Sequence, residues 1–148
     1  MKKSFFALLL LVSFQTFGQI KYMKDQTETE KLSAMATDLF IQNKMNDCFK
    51  ELQKYWPLPE NEIEALQEKT TRYMNIIEDR FGKAIDFKKV KNEVIADFSI
   101  RETYIIRFEN TAIRVIYTYY KNNSGWILNE FKWDDSFAEE FKESEIKK

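Results

Sequence analysis

The stretch "NTAIRVIYTYYKNNSGWILNEFKWDD", Asn110 to Asp135, reads as two aromatic-rich strands joined by a polar turn, and its apolar rhythm stumbles once. Trp126 and Leu128 are two apart, as are Phe131 and Trp133, but Leu128 and Phe131 are three apart. Side chains alternate across a strand, so a strict register through that gap would aim Glu130 and Lys132 into the apolar face. If Asn122 opposes Gly125, Tyr119 opposes Leu128. One extra residue at Asn129 or Glu130, a β-bulge, then restores Tyr117 opposite Phe131 and Val115 opposite Trp133. A bulge bends its strand, so this sheet is expected to curve around whatever covers it.

Working upstream, Ala112 to Tyr120 supplies the third strand, Arg101 to Glu109 the second, and part of Phe87 to Ile95 the first. Asn110-Thr111 and "NNSG" carry turn residues. A two-residue loop at Asn110-Thr111 pairs Phe108 with Ile113, Ile106 with Val115 and Tyr104 with Tyr117 on the inner face. The outer face then holds Ile105, Arg107, Arg114, Ile116, Thr118 and Tyr120, with the two arginines opposite each other and Asp134 arriving beside Arg114.

Before the sheet, apolar residues recur at helical spacing: Leu32, Met35, Leu39, Met45, Phe49, Leu52 and Trp56. This predicts one long amphipathic helix from about Thr29, ended by "WPLPE", because Pro57 and Pro59 cannot continue a helix interior. A second helix starts near Pro59, buries Ile63, Leu66, Tyr73, Ile77 and Phe81, and is capped by Gly82. The expected fold is α+β: two N-terminal helices packed on a curved four-stranded antiparallel sheet.

The chain has 148 residues, 23 basic and 24 acidic side chains, no His and one Cys. Lys2 and Lys3, the apolar run Phe5 to Phe14, and the small residues Thr16 and Gly18 form a secretory signal, with cleavage expected after Gly18. A membrane anchor is the competing reading, but the run is short of the roughly 18 apolar residues a span requires. Gln19, and not Cys, follows the cleavage point, so no lipid anchor is expected there. Residues 1–18 are therefore read as a signal peptide and 19–148 as a single α+β domain, exported to the periplasm or beyond the cell. A mildly acidic balance offers nothing to a nucleic acid. Lys88, Lys89 and Lys91 read as a solvated strand edge, and Cys48, on an apolar helical face, as a buried small hydrophobe.

These features resemble the small secreted bacterial domains of cystatin-like or nuclear transport factor 2-like fold, many of unknown function. The resemblance rests on "RFGKAIDFKKV", on the Thr111 to Asp135 text and on the element order over about residues 27 to 140. The signal ending "TFGQ" is similar to those of exported Bacteroidetes-type proteins. Members of the wider fold include isomerases and cyclases that work in a cone between sheet and helices, so the resemblance implies such an enzyme as one alternative.

Without His, Ser-His and Cys-His relays and histidine metal sites are excluded. With Gly82 and Gly125 the only glycines after processing, a glycine-rich phosphate cradle is excluded as well. No catalytic, metal-binding or cofactor-binding residues are assigned. Tyr104, Tyr117, Tyr119, Trp126 and Trp133 are candidate walls of a pocket for a small apolar ligand, or else plain core. Ile105, Arg107, Arg114, Ile116 and Tyr120 are a candidate homodimer interface. In the alternative, the tail "SFAEEFKESEIKK" folds back over that face, with Phe137 and Phe141 on it and Glu139 or Glu140 against an arginine. The function expected is that of an exported, non-enzymatic binding or interaction module, against the alternative of an enzyme using Tyr and Asp in a cone.

Overall fold

The structure, a computed structural model, describes residues 19–141. The signal-peptide reading falls on residues outside that range. Three α-helices, a four-stranded antiparallel sheet and a short 3-10 helix follow one another: α1 (Gln26–Ile41), α2 (Met45–Gln53), α3 (Glu60–Phe81), β1 (Ala84–Ile95), β2 (Ser99–Phe108), β3 (Ala112–Asn122), β4 (Gly125–Asp134) and η1 (Phe137–Phe141). The strands pair in sequence order, β1-β2-β3-β4.

The expected first helix is two helices. Asn43 adopts a left-handed conformation, φ 57°, which asparagine tolerates better than most residues. The amides of Asn43 and Lys44 turn back to the carbonyls of Phe40 and Leu39 and close α1. The gap of six residues between Leu39 and Met45 in the apolar series marks this break. Asp25 caps the start of α1 by accepting from the Glu28 amide, while the Glu28 side chain accepts from the Lys24 amide, a reciprocal cap. Gly82 ends α3 at φ 83°, and a side chain there would collide with Glu109.

The bulge lies where the sequence places it. Tyr119 pairs with Leu128 but Thr118 with Glu130, leaving Asn129 as the extra residue; Tyr117 then faces Phe131, and Val115 faces Trp133. Phe131 thereby becomes the centre of an aromatic cluster, with the rings of Phe40, Phe49, Trp56 and Tyr117 5.4–6.3 Å away.

The β2–β3 register differs from the expectation by two residues. Arg107 pairs with Ala112, Ile106 with Ile113, and Tyr104 with Val115. The loop is three residues long, Glu109 to Thr111, because its backbone docks just past the end of α3: the amides of Glu109 and Asn110 donate to the carbonyls of Lys83 and Phe81. A two-residue slip preserves the faces, so the inner and outer sets stand, but Arg107 and Arg114 are not opposed. Arg107 is paired with Asp86, and Arg114 lies across from Ile105.

The helices cover the inner face unevenly. α1 buries Thr29, Leu32, Ser33, Ala36, Thr37 and Phe40, whereas Met35, expected inside, is 42% exposed. On α3, Ile63, Thr70 and Met74 are buried, whereas Leu66 and Tyr73 are exposed and Ile77 and Phe81 are half-buried. The beginning of β4 is closed at its edge by the segment before α1 and the turn after α2. Met23 and Trp126 exchange backbone hydrogen bonds, and the Leu128 amide donates to the Tyr55 carbonyl. Past the bulge, Phe131 packs among the α1 and α2 aromatics, and Trp133 meets Thr70 and Tyr73 of α3.

Candidate functional site

Between α3 and the second half of β4 lies a cleft of about 360 Å³, lined by Leu66, Lys69, Thr70 and Tyr73 from the helix and by Phe131, Lys132 and Trp133 from the strand. The helical spacing 66, 69, 70, 73 places all four residues on one face. Phe131 is buried at the floor and Trp133 is half-buried. The Trp133 indole N–H donates to the Thr70 hydroxyl at 3.2 Å, and the Tyr73 ring meets Trp133 edge-on at 5.9 Å. These two contacts hold the aromatic wall while Tyr73 stays 46% exposed. Lys69 and Lys132 are exposed, and among the described residues neither makes a salt bridge; Lys132 alternates with the inward Phe131 and Trp133 and stands across from Ile116 on the outer face.

Of the five aromatic residues expected to wall a pocket, only Trp133 lines this cleft. Tyr104, Tyr117, Tyr119 and Trp126 are buried in the core. The three tyrosine hydroxyls end in a buried polar layer supplied by α1, whose Thr29, Ser33 and Thr37 recur every four residues. Tyr119 donates to the Thr29 carbonyl at 3.2 Å and shares a hydrogen bond with Ser33 at 2.6 Å. Thr37 donates to the Ser33 carbonyl, so the 2.9 Å bond between Thr37 and Tyr117 has the tyrosine as donor. Burial pushes the hydroxyls of Tyr117 and Tyr119 well above the ordinary tyrosine range, so both act as neutral donors.

Glu102 is the residue that sequence reasoning missed. It alternates onto the inner face of β2 and is fully buried. Its carboxyl meets the Thr29 hydroxyl at 2.9 Å and accepts from Tyr104 at 3.4 Å; the Lys89 ammonium stands 3.9 Å away and also reaches Glu30 at 3.1 Å. Burial raises the Glu102 carboxyl above the usual carboxylate range, against the opposing pull of its hydrogen bonds and of Lys89. The signal was present in the alternation Ile100, Glu102, Tyr104, Ile106, which puts a lone carboxylate among apolar inward positions.

The outer face is partly occupied by its own chain. η1 lies against β3, and Arg114 bonds Asp134, Glu139 and Glu140 at 2.7–3.2 Å. Ile116 is only 5% exposed, Ile105 is half-buried, and Tyr120 is exposed with its ring against Phe98. A hollow of about 430 Å³ remains beside Arg101, Thr103, Arg114, Ile116 and Glu140, with charges of both signs. Asp134 is thus engaged on the face opposite the tyrosines.

No family model matches the sequence, and no curated protein matches it. Among solved structures, the chain is similar to one described as "Putative NTF2-like transpeptidase" from Campylobacter jejuni, at 14% identity and a TM-score of 0.48, over 69% of this chain and 97% of that one. That description carries the fold name the sequence resemblance implies; the α+β architecture itself rests on the helices and the antiparallel meander of this chain.

Proposed function

We propose that this chain is an exported, non-enzymatic binding module whose ligand site is the cleft between α3 and β4, and whose ligand is a small, largely apolar molecule. The observation that carries this reading is the accessible aromatic wall of Tyr73 and Trp133 above the Phe131 floor. A concave, mostly apolar hollow of several hundred cubic ångströms with a few polar groups is the usual form of a small-molecule site. An enzyme using Tyr and Asp has less support, because the tyrosine hydroxyls are committed to α1 and Glu102 while Asp134 pairs with Arg114.

The test is a titration with a neutral aliphatic alcohol such as decanol, followed by tryptophan fluorescence and calorimetry. Saturable binding is expected in the wild type and a large loss in Trp133→Ala, with Met35→Ala, on an exposed position of α1, as the control. Binding that is unchanged in Trp133→Ala would refute the site. Export is tested separately by the intact mass of the secreted protein, which is expected to begin at Gln19.

A further inference from the structure

We infer that the outer hollow is a binding site for a small organic polycarboxylate, and that η1 is a displaceable strap whose Glu140 carboxylate occupies the site when it is closed. The hollow lies on the opposite face of the sheet from the cleft between α3 and β4, and the inference does not rest on that cleft. Glu140 meets cations from two strands. Arg114 of β3 donates to one carboxylate oxygen at 2.7 Å, and the Lys91 ammonium of β1 stands 2.9 Å from the other. Both cations are largely enclosed, with 12% and 22% of their side chains exposed. A guanidinium and an ammonium converging on one carboxylate form the short, charge-assisted contacts by which proteins hold such groups.

Two further observations separate this contact from an ordinary surface ion pair. The first is the charge of the wall. Around a hollow of about 430 Å³ the sheet contributes Lys91, Arg101, Arg114 and Lys132 against a single carboxylate, Glu93, among the described residues. Glu93 is paired with Arg101, and Asp134 with Arg114, so the sheet presents an excess of positive charge in a chain that is slightly acidic as a whole. The carboxylates that offset it, Glu139 and Glu140, both come from η1. The second observation is how η1 is held. None of its residues is buried, so its grip on the sheet is chiefly that of its two carboxylates, and partly exposed ion pairs are individually weak. A free molecule presenting two or three carboxylates competes for the same cations.

The experiment is a calorimetric titration of the full exported chain with citrate, at neutral pH and constant ionic strength. In the wild type, citrate binds only the fraction of chains whose strap is open, which weakens its apparent affinity by that fraction. Glu140→Gln removes the resident carboxylate and is expected to bind citrate about tenfold more tightly, the scale of a hydrogen bond to a charged group. Adding Lys91→Gln to Glu140→Gln should abolish the gain. In the wild type, saturating citrate should also release η1, read as faster hydrogen exchange of the Glu139 amide, which donates to the Ser136 carbonyl at 3.0 Å. Glycerol, which carries no charge, should do neither. Four results would each overturn the inference: no citrate binding to Glu140→Gln, equal affinity in Glu140→Gln and wild type, a gain that survives Lys91→Gln, or Glu139 exchange unchanged by citrate. None of them bears on decanol binding at Trp133, so the two sites stand or fall separately.

Discussion

The Thr29 hydroxyl lies 2.9 Å from the Glu102 carboxyl and 2.9 Å from the Gln26 carbonyl. A hydroxyl has one proton to give, so an ionised Glu102 would compete with the α1 backbone for it, whereas a protonated Glu102 donates to Thr29 and leaves that proton to Gln26. The geometry therefore favours the neutral acid, and so does burial, which raises this carboxyl above its ordinary range.

A stability profile follows from that raised value. The folded chain keeps the Glu102 proton to higher pH than the unfolded chain does, so stability falls as pH rises from the ordinary glutamate value through the raised folded one. Glu102→Gln keeps the shape and hydrogen-bonding capacity without the ionisation. It should flatten this fall, and above the folded value it should be more stable than the wild type. Urea denaturation across pH measures it; parallel profiles for the two proteins would show that Glu102 does not titrate in this way.

Deleting Asn129 removes the extra residue that turns Phe131 and Trp133 inward. Both rings would swing to the outer face, with a loss in the range above about 4 kcal/mol that marks core disruption, whereas Glu130→Ala alters an exposed side chain and should stay within about 0.5 kcal/mol. Equal melting temperatures for the two variants would contradict the bulge.

The outer face separates two oligomeric states. With η1 on β3 and Ile116 buried inside one chain, Ile116→Asp should cost about 3 kcal/mol, since it buries an unpaired charge, and should leave the mass measured by light scattering unchanged. A halved mass with the fold intact would show instead that this face pairs two copies, as the apolar and arginine surface around Tyr120 suggests from sequence. Acid should release η1 first. Burial works against the ionised Glu140 and Asp134, but hydrogen bonds from Arg114, joined at Glu140 by Lys91 and at Asp134 by the Ser136 amide, hold both carboxyls below their ordinary values. Their contribution is present above the unfolded carboxylate range and is lost as pH falls through the depressed values.

Cys48 is buried, and burial pushes its thiol up to about 12. The thiolate is the reactive form, so a thiol-specific reagent at neutral pH should label the native protein only at the rate of unfolding and the denatured protein at once. Fast labelling of the native chain would contradict the packing of α2.

Periodicity is a local signal, and it decided the elements whose cause is local. The last three strands, their two faces, the start of α3 after Pro59, the Gly82 cap and the bulge near Asn129 were legible, because each follows from alternation or from one residue's backbone limits; β1 begins earlier than expected, at Ala84, and the helix before Pro57 ends already at Gln53. The β2–β3 pairing was not, since a slip of two residues leaves every side chain on its own face; the docking of Glu109 and Asn110 on the end of α3 selects it. Nor could periodicity tell how completely α3 covers the sheet. Leu66 and Tyr73 have helical spacing whether they are sealed or left at a cleft, and the docking of Trp133 on Thr70 and Tyr73 beside them decides which. Glu102 was readable as an inward carboxylate, yet its partners Thr29, Tyr104 and Lys89 come from three different elements, so only the folded chain brings them together.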